Sequence, residues 1–253
     1  MLEGQPVYVV VPARDEAPRI SRVLRRMPAF VDRIVVVDDG SRDSTAEVVA
    51  RELNGRGVLL RHAVSRGVGA AIARGYAFAR AELSEPRAAI AVMAGDDQMH
   101  PDDLASVALP VVRGEAGYAK GDRFAWPDGG RPMPLGRRLG GVVFAAGTSL
   151  ACGQRIHDSQ CGFTAVSRRA LGSLDLQRFW PSYGYPNVLL GELARAGVTI
   201  REVPVRAVYA DEVSRLRLRH VVTIGRLVAR EAWRTHAGAI GRRRLLVERV
   251  AVE

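Results

Sequence analysis

The chain has 253 residues, 47% of them hydrophobic and 25% charged, which excludes a disordered or collagen-like chain and suffices for one large domain or a domain with an appended subdomain. Its two cysteines, Cys152 and Cys161, stand in no Cys/His pattern at zinc spacing, which excludes a disulfide framework and a structural zinc site. The formal charge of +10 is uneven: residues 213–253 hold ten Arg against three Glu, which fits a solvated helix face or an anionic lipid surface, while nothing resembling a zinc finger or an aromatic-interleaved basic patch supports nucleic acid.

The N-terminal "MLEGQPVYVVVPARDE" lacks the basic start and apolar stretch of a secretory signal, and the weakly polar run at 140–153 is too short for a bilayer, which needs roughly 20 apolar residues. The expected location is the cytoplasm, with membrane contact limited to a peripheral one on the inner face. "VYVVVPA" at 7–13 and "RIVVVDDGS" at 33–41 read as buried parallel strands ending in polar loops, and "APRISRVLRRMPAF" between them has helical spacing, which makes a βαβ unit. In "SRDSTAEVVARELNGRG" Ser44 and Glu47 form a capping box ahead of an apolar face of Val48, Val49 and Leu53. A short strand "VLLRHAV" follows, then a small-residue-rich helix "GAAIARGYAFARAEL" expected to pack tightly on the sheet.

The stretch "AAIAVMAGDDQMHPDDL" at 88–104 is the fourth strand, with Pro101, Asp102 and Asp103 opening the next helix. Strand and helix alternate through residue 110, which predicts a doubly wound, mostly parallel α/β sheet whose ligands gather at the carboxyl ends of its strands. Beyond that point 121–136 reads as a long loop, 137–153 as a helix, 198–210 as a strand pair, and "RLRHVVTIGRLVAREAWRTH" as an amphipathic helix. That last helix has the composition of an interfacial helix and equally that of a core-covering one.

Asp96 and Gln98 are two apart, so in an extended segment both face one side and Asp97 faces away. Two hard oxygen ligands of this kind suit a Mg2+ or Mn2+ ion completed by waters and substrate phosphates. "DDGS" by itself also fits an ordinary turn. Gly67 and Gly69 permit a close backbone approach, His62 reads as structural while His100 and His157 lie near enough to site motifs to keep, and Cys161 reads as a packing residue. A dinucleotide oxidoreductase is disfavoured because no Gly-x-Gly-x-x-Gly turn follows the first strand.

"VPARDE", "VVVDDGSRDST" and "AGDDQMHPDDL", in this order, resemble the motifs of family 2 glycosyltransferases of the GT-A fold, a resemblance covering about residues 5–218. Further on, "KGDRF", "DSQCGFTAVSRRAL" and "VPVRAVYADEVSRLR" resemble segments of the polyprenyl- and dolichyl-phosphate mannosyl- and glucosyltransferase branch. The resemblance implies a single catalytic domain over 1–218, with a nucleotide-binding half at 1–110 and an acceptor half at 111–218, followed by a basic amphipathic helix and tail at 219–253. It implies a nucleotide-diphosphate sugar donor contacted by Pro12, Ala13, Arg14, Glu16, Val37, Asp39, Ser41, Gly95 and Asp96, with Arg123, Arg206 and Arg215 on phosphates. Asp96 and Gln98 would hold the metal, and Asp158 would serve as base toward a hydroxyl acceptor or as an orienting group toward a polyprenyl phosphate. An inverting hexosyltransferase with a lipid phosphate acceptor is the expected enzyme; a hydroxyl acceptor, or a non-catalytic nucleotide-sugar-binding protein, is the rival. Three positions depart from the family's pattern: Asp15 stands for its Asn, Arg14 for the Tyr of close relatives, and Ala94 for its first Asp.

Overall fold

The computed structural model describes residues 1–127, 135–206, 208 and 218–250. The four strands expected in the first half form as β1 (Val7–Ala13), β2 (Arg33–Asp38), β3 (Gly57–Arg61) and β4 (Ala89–Val92), separated by α1 (Ala17–Arg25), α2 (Thr45–Leu53) and α3 (Val68–Glu82). A single 3-10 turn, Pro101–Asp103, leads into α4 (Leu104–Val112) and β5 (Tyr118–Asp122). The chain continues through α5 (Leu135–Cys152), β6 (Thr164–Ser167), α6 (Arg168–Leu171), α7 (Tyr185–Arg195), β7 (Ile200–Pro204) and α8 (Leu218–Val250).

The seven strands make one sheet in the order β3-β2-β1-β4-β6-β5-β7. β1 pairs in parallel with β2 and β4, β6 runs antiparallel to both β4 and β5, and β5 is parallel to β7. Two antiparallel steps restore the direction, so the carboxyl ends of β1, β2, β4, β5 and β7 share one edge with the start of β6. Segments far apart in sequence therefore meet along one line.

β1 is a near-continuous apolar run because helices cover both its faces. Val9 and Val11 face the layer that contains Ile20 and Leu104, whereas Val10, one step out of phase, faces the layer of Ile72, Tyr76 and Leu190. The small residues of α3 allow the expected close approach, since a Cβ on Gly75 would run into the Val10 side chain.

Three expectations need correction and a fourth is extended. Ser44 has φ −79° and ψ 22° and makes no side-chain cap; Asp43 takes that place, its Oδ1 accepting from the Thr45 amide at 3.0 Å. Asp103 does more than favour a helix terminus: it is buried, and its Oδ2 accepts from the Arg206 amide at 2.8 Å. The strand pair at 198–210 is one strand, β7, among the described residues. The segment after β4 is a turn rather than an extension, with Asp97 at φ 62°. β5, β6, α6 and α7 were not anticipated: the four residues of "TAVS", for one, carry too little pattern to read as a strand.

Candidate active site

Three motifs meet at the end of β1 through its last two carbonyls. The Pro12 carbonyl accepts from the Gly95 amide at 3.1 Å and the Ala13 carbonyl from the Asp39 amide at 2.9 Å. Pro12 and Ala13 lie beside Val37 and Asp38 in register. Gly95 is required here, because a Cβ would come within 2.9 Å of Ile20 and 3.1 Å of the Ala13 Cβ.

Asp15 occupies the left-handed region at φ 54°, which Asn and Asp tolerate better than other side chains and which accounts for an Asp where the family pattern has Asn. Its amide donates to Ser41 Oγ at 3.0 Å, and its Oδ1 accepts from the Arg42 amide at 2.8 Å, so β1 and β2 loops brace each other. Glu16 is buried, its amide donating to Thr45 Oγ1 and its Oε2 accepting from Arg19, while Arg14 reaches Ser65 Oγ at 2.8 Å.

Asp39 is engaged by donors of the chain itself. Its carboxylate accepts from His62 Nδ1 at 2.7 Å, Ser65 Oγ at 2.7 Å, and the amides of Arg66 and Gly67 at 2.8 and 2.9 Å. Four donors match the acceptor capacity of one carboxylate, so Asp39 holds the 62–67 loop. Burial raises its proton affinity, but these hydrogen bonds outweigh burial and hold the carboxyl below its usual range. Gly40, at φ 68°, passes under that loop, where a Cβ would lie 2.7 Å from the Ser65 amide nitrogen. Gly67 and Gly69 do serve a close backbone approach, that of the Trp180 and Pro181 carbonyls.

After β4, Asp96 Oδ1 accepts from the Gln98 amide at 3.2 Å. Both residues line a cleft of about 470 Å³ together with Arg19, Arg22, Arg26 and His100. Asp97 cannot replace the carboxylate missing at Ala94: its left-handed backbone turns it toward Arg22 at 2.9 Å and Arg26 at 3.8 Å. Arg206 is brought to the same turn, with Nη1 2.7 Å from His100 Nδ1 and the guanidinium 5.1 Å from the Trp126 ring centre. Arg215 lies outside the described residues.

On the other side of the edge, Arg123 and Asp158 form a two-pronged pair. Arg123 Nε donates to Asp158 Oδ2 at 2.7 Å and Nη2 to Oδ1 at 2.9 Å, with the Arg123 amide also on Oδ2 at 3.2 Å. Asp158 is 1% exposed. Burial raises its proton affinity, yet Arg123 outweighs burial and keeps the carboxyl below its usual range. Cys161 is buried and burial pushes its thiol up, in keeping with a packing role.

Sequence reading missed Asp122 and Glu202 and their grouping with His157 at this end. Asp122, His157 and Glu202 bring one ligand atom each within 4.8 Å of one another and so could hold a cation. Their atoms are already engaged, since Asp122 accepts from the amides of Phe124 and Ala125, and Glu202 from those of His157 and Asp158. Their spacing of 35 and 45 residues has no short motif to reveal it.

Away from the edge, α5 and α8 cross where Gly147 meets Val228. Ile224, Leu227, Val228 and Glu231 of α8 are buried, so α8 covers core. Yet Leu139, Val142, Val143 and Leu150 of α5 and Val221, Val222 and Trp233 of α8 are exposed. Among the described residues no helix is long and apolar enough to cross a membrane.

Residues 8–174 match the family described as Glycosyl transferase family 2. An uncharacterized protein of Methanocaldococcus jannaschii is 33% identical over 86% of this chain and 87% of its own length. A UDP-N-acetylglucosamine–dolichyl-phosphate N-acetylglucosaminyltransferase of Methanococcus voltae is 30% identical over 81% of this chain and 86% of its own. In fold the chain is similar to glucosyl-3-phosphoglycerate synthase of Mycobacterium tuberculosis, solved with Mn2+, UDP and glucosyl-3-phosphoglycerate. That likeness has a TM-score of 0.64 at 22% identity and covers 92% of this chain and 80% of that one.

Proposed function

The chain belongs to glycosyl transferase family 2 and is a glycosyltransferase of GT-A fold, and from that premise we propose that it moves a hexose from a nucleotide-diphosphate sugar to a polyprenyl phosphate by an inverting displacement. The observation that carries the choice of acceptor is the Arg123–Asp158 pair. A hydroxyl acceptor needs a base within reach, and a carboxylate that is 1% exposed, held by a guanidinium and kept below its usual range is a poor one. A phosphate acceptor is already an anion and gives up no proton.

In this reading an acceptor phosphate oxygen bonds to the anomeric carbon while the bond from that carbon to the donor phosphate oxygen breaks. The electron pair leaves with the nucleoside diphosphate. Neutralising that developing charge lowers the barrier, and Arg123, its plane fixed by Asp158, and Arg206, held beside the 96–100 turn, are the chain's cations for it. The hard oxygens of Asp96 and Gln98, both lining the cleft, fit Mg2+ or Mn2+. Such an ion supplies Lewis-acid stabilisation of the diphosphate when bound. Pro12, Ala13, Arg14, Glu16, Val37, Ser41 and Gly95 shape the nucleoside end, with Asp39 acting through the 62–67 loop. The Methanococcus voltae relative, named for a dolichyl-phosphate acceptor, supports the same class.

The exposed apolar residues of α5 and α8, on elements whose described charged side chains are mostly Arg, support docking on an anionic bilayer surface. Nucleoside diphosphate release from UDP- and GDP-sugars, measured with and without a short polyprenyl phosphate and with Mg2+ or Mn2+, tests the reading. Release that depends on the lipid phosphate is expected; release that ignores it and needs a hydroxyl compound would overturn the acceptor, and no release at all would leave a binding protein.

A further inference from the structure

Lys120 has no solvent exposure, and its ammonium meets three acceptors: the Gly121 carbonyl at 3.1 Å, the Asp158 carbonyl, and Glu202 Oε1 at 3.4 Å. Lys120 and Glu202 are direct partners in the ladder between β5 and β7, so their side chains share a face. Glu202 accepts in turn from the amides of His157 at 2.7 Å and Asp158 at 3.0 Å. Both backbone polar groups of Asp158 are thus held by this pair, its N–H by Glu202 and its C=O by Lys120.

Burying an ammonium is costly, and an apolar replacement of a buried ion pair is often neutral or stabilising. Stability therefore does not account for Lys120, whereas its three donors match three acceptors in and beside the segment that presents Asp158. The geometry points to Lys120 as a positioning residue for sugar transfer: with Glu202 it fixes the backbone of Asp158 so that the carboxylate meets Arg123 with two hydrogen bonds. This rests on the reading of Arg123 as a ligand of the donor diphosphate. The cations facing Asp158 are Arg123 and Lys120; Cys161 lies beside it with its thiol pushed up, Glu202 faces its amide, and His157, paired with Asp122 at 3.2 Å, precedes it.

The test compares wild type with Lys120→Met in three readouts. Amide hydrogen exchange over 157–161 is expected to quicken about tenfold or more while β1 to β4 stay protected. The kcat for nucleoside diphosphate release, with the donor that the wild type turns over, is expected to fall about tenfold or more with little change in donor KM. The acid limb of its pH profile is expected to move to higher pH, because Asp158 loses a facing cation. Unchanged exchange overturns the positioning, as does a loss of kcat that only tracks the folded fraction with an unmoved acid limb. Should Lys120→Met not fold, the Lys120→Met/Glu202→Gln double variant, which removes both charges and keeps an acceptor for one of the two amides, decides by the same readouts. A wild-type protein that releases no nucleoside diphosphate ends the reading of Arg123 and leaves the exchange result to decide Lys120.

Discussion

At the end of β2, Asp39 accepts from two backbone amides, a hydroxyl and an imidazole, all from the 62–67 loop. At the end of β5, Asp158 accepts chiefly from a guanidinium, and its neighbour Glu202 faces a buried ammonium. The first region uses its carboxylates to brace loops that are close in sequence; the second uses carboxylates from β7 and the segment before β6 to aim cations in and just after β5. Substitutions in the first should cost mainly stability. In the second they should cost mainly rate.

The largest effect is expected between the two regions, at the turn after β4. Asp96→Ala should lower kcat/KM by about a thousandfold and abolish Mn2+ binding seen by electron paramagnetic resonance; unchanged transfer with Mn2+ still bound would remove Asp96 from the site. Next comes Arg123→Ala, with kcat down roughly a hundredfold and urea unfolding altered far less than activity. Asp39→Ala should show the opposite balance, destabilising by about 2 kcal/mol because it leaves the buried His62 and the amides of Arg66 and Gly67 without their acceptor. A urea midpoint equal to wild type would erase the contrast between the regions.

The pH dependence of stability follows from both carboxylates. Asp39 and Asp158 are held below their usual range in the folded state, so the stability they contribute is present above the unfolded value and is lost as pH falls through the folded one. Thermal melts should therefore fall steeply below about pH 4, and Asp158→Asn should shallow that fall. The smallest expected effect lies off the edge altogether. Val143→Glu should weaken binding to vesicles of anionic lipid by about fivefold, measured by co-sedimentation, with no change in turnover of a water-soluble acceptor phosphate.

Sequence legibility divides along the same line. The alternation of β-branched runs with helical spacing made β1 to β4 and their helices readable, and the acidic turns between them marked the site edge. Asp43 taking the cap from Ser44, and the left-handed turn that pairs Asp97 with Arg22 and Arg26, were not readable, because each depends on a backbone angle that neighbouring residues set.

The first four buried strands followed from the chain alone, since burial periodicity is a local property, and the expected roles of Asp96, Gln98, Arg123 and Asp158 followed from the resemblance of the motifs that contain them. Which partner each charge takes did not. That Asp39 serves a loop, that Asp158 is locked to Arg123, and that Lys120 stands opposite Glu202 were decided by a sheet that brings residues 23 to 82 positions apart within hydrogen-bond range. A buried charge is stabilised only by the groups packed around it, and those groups are a property of the fold.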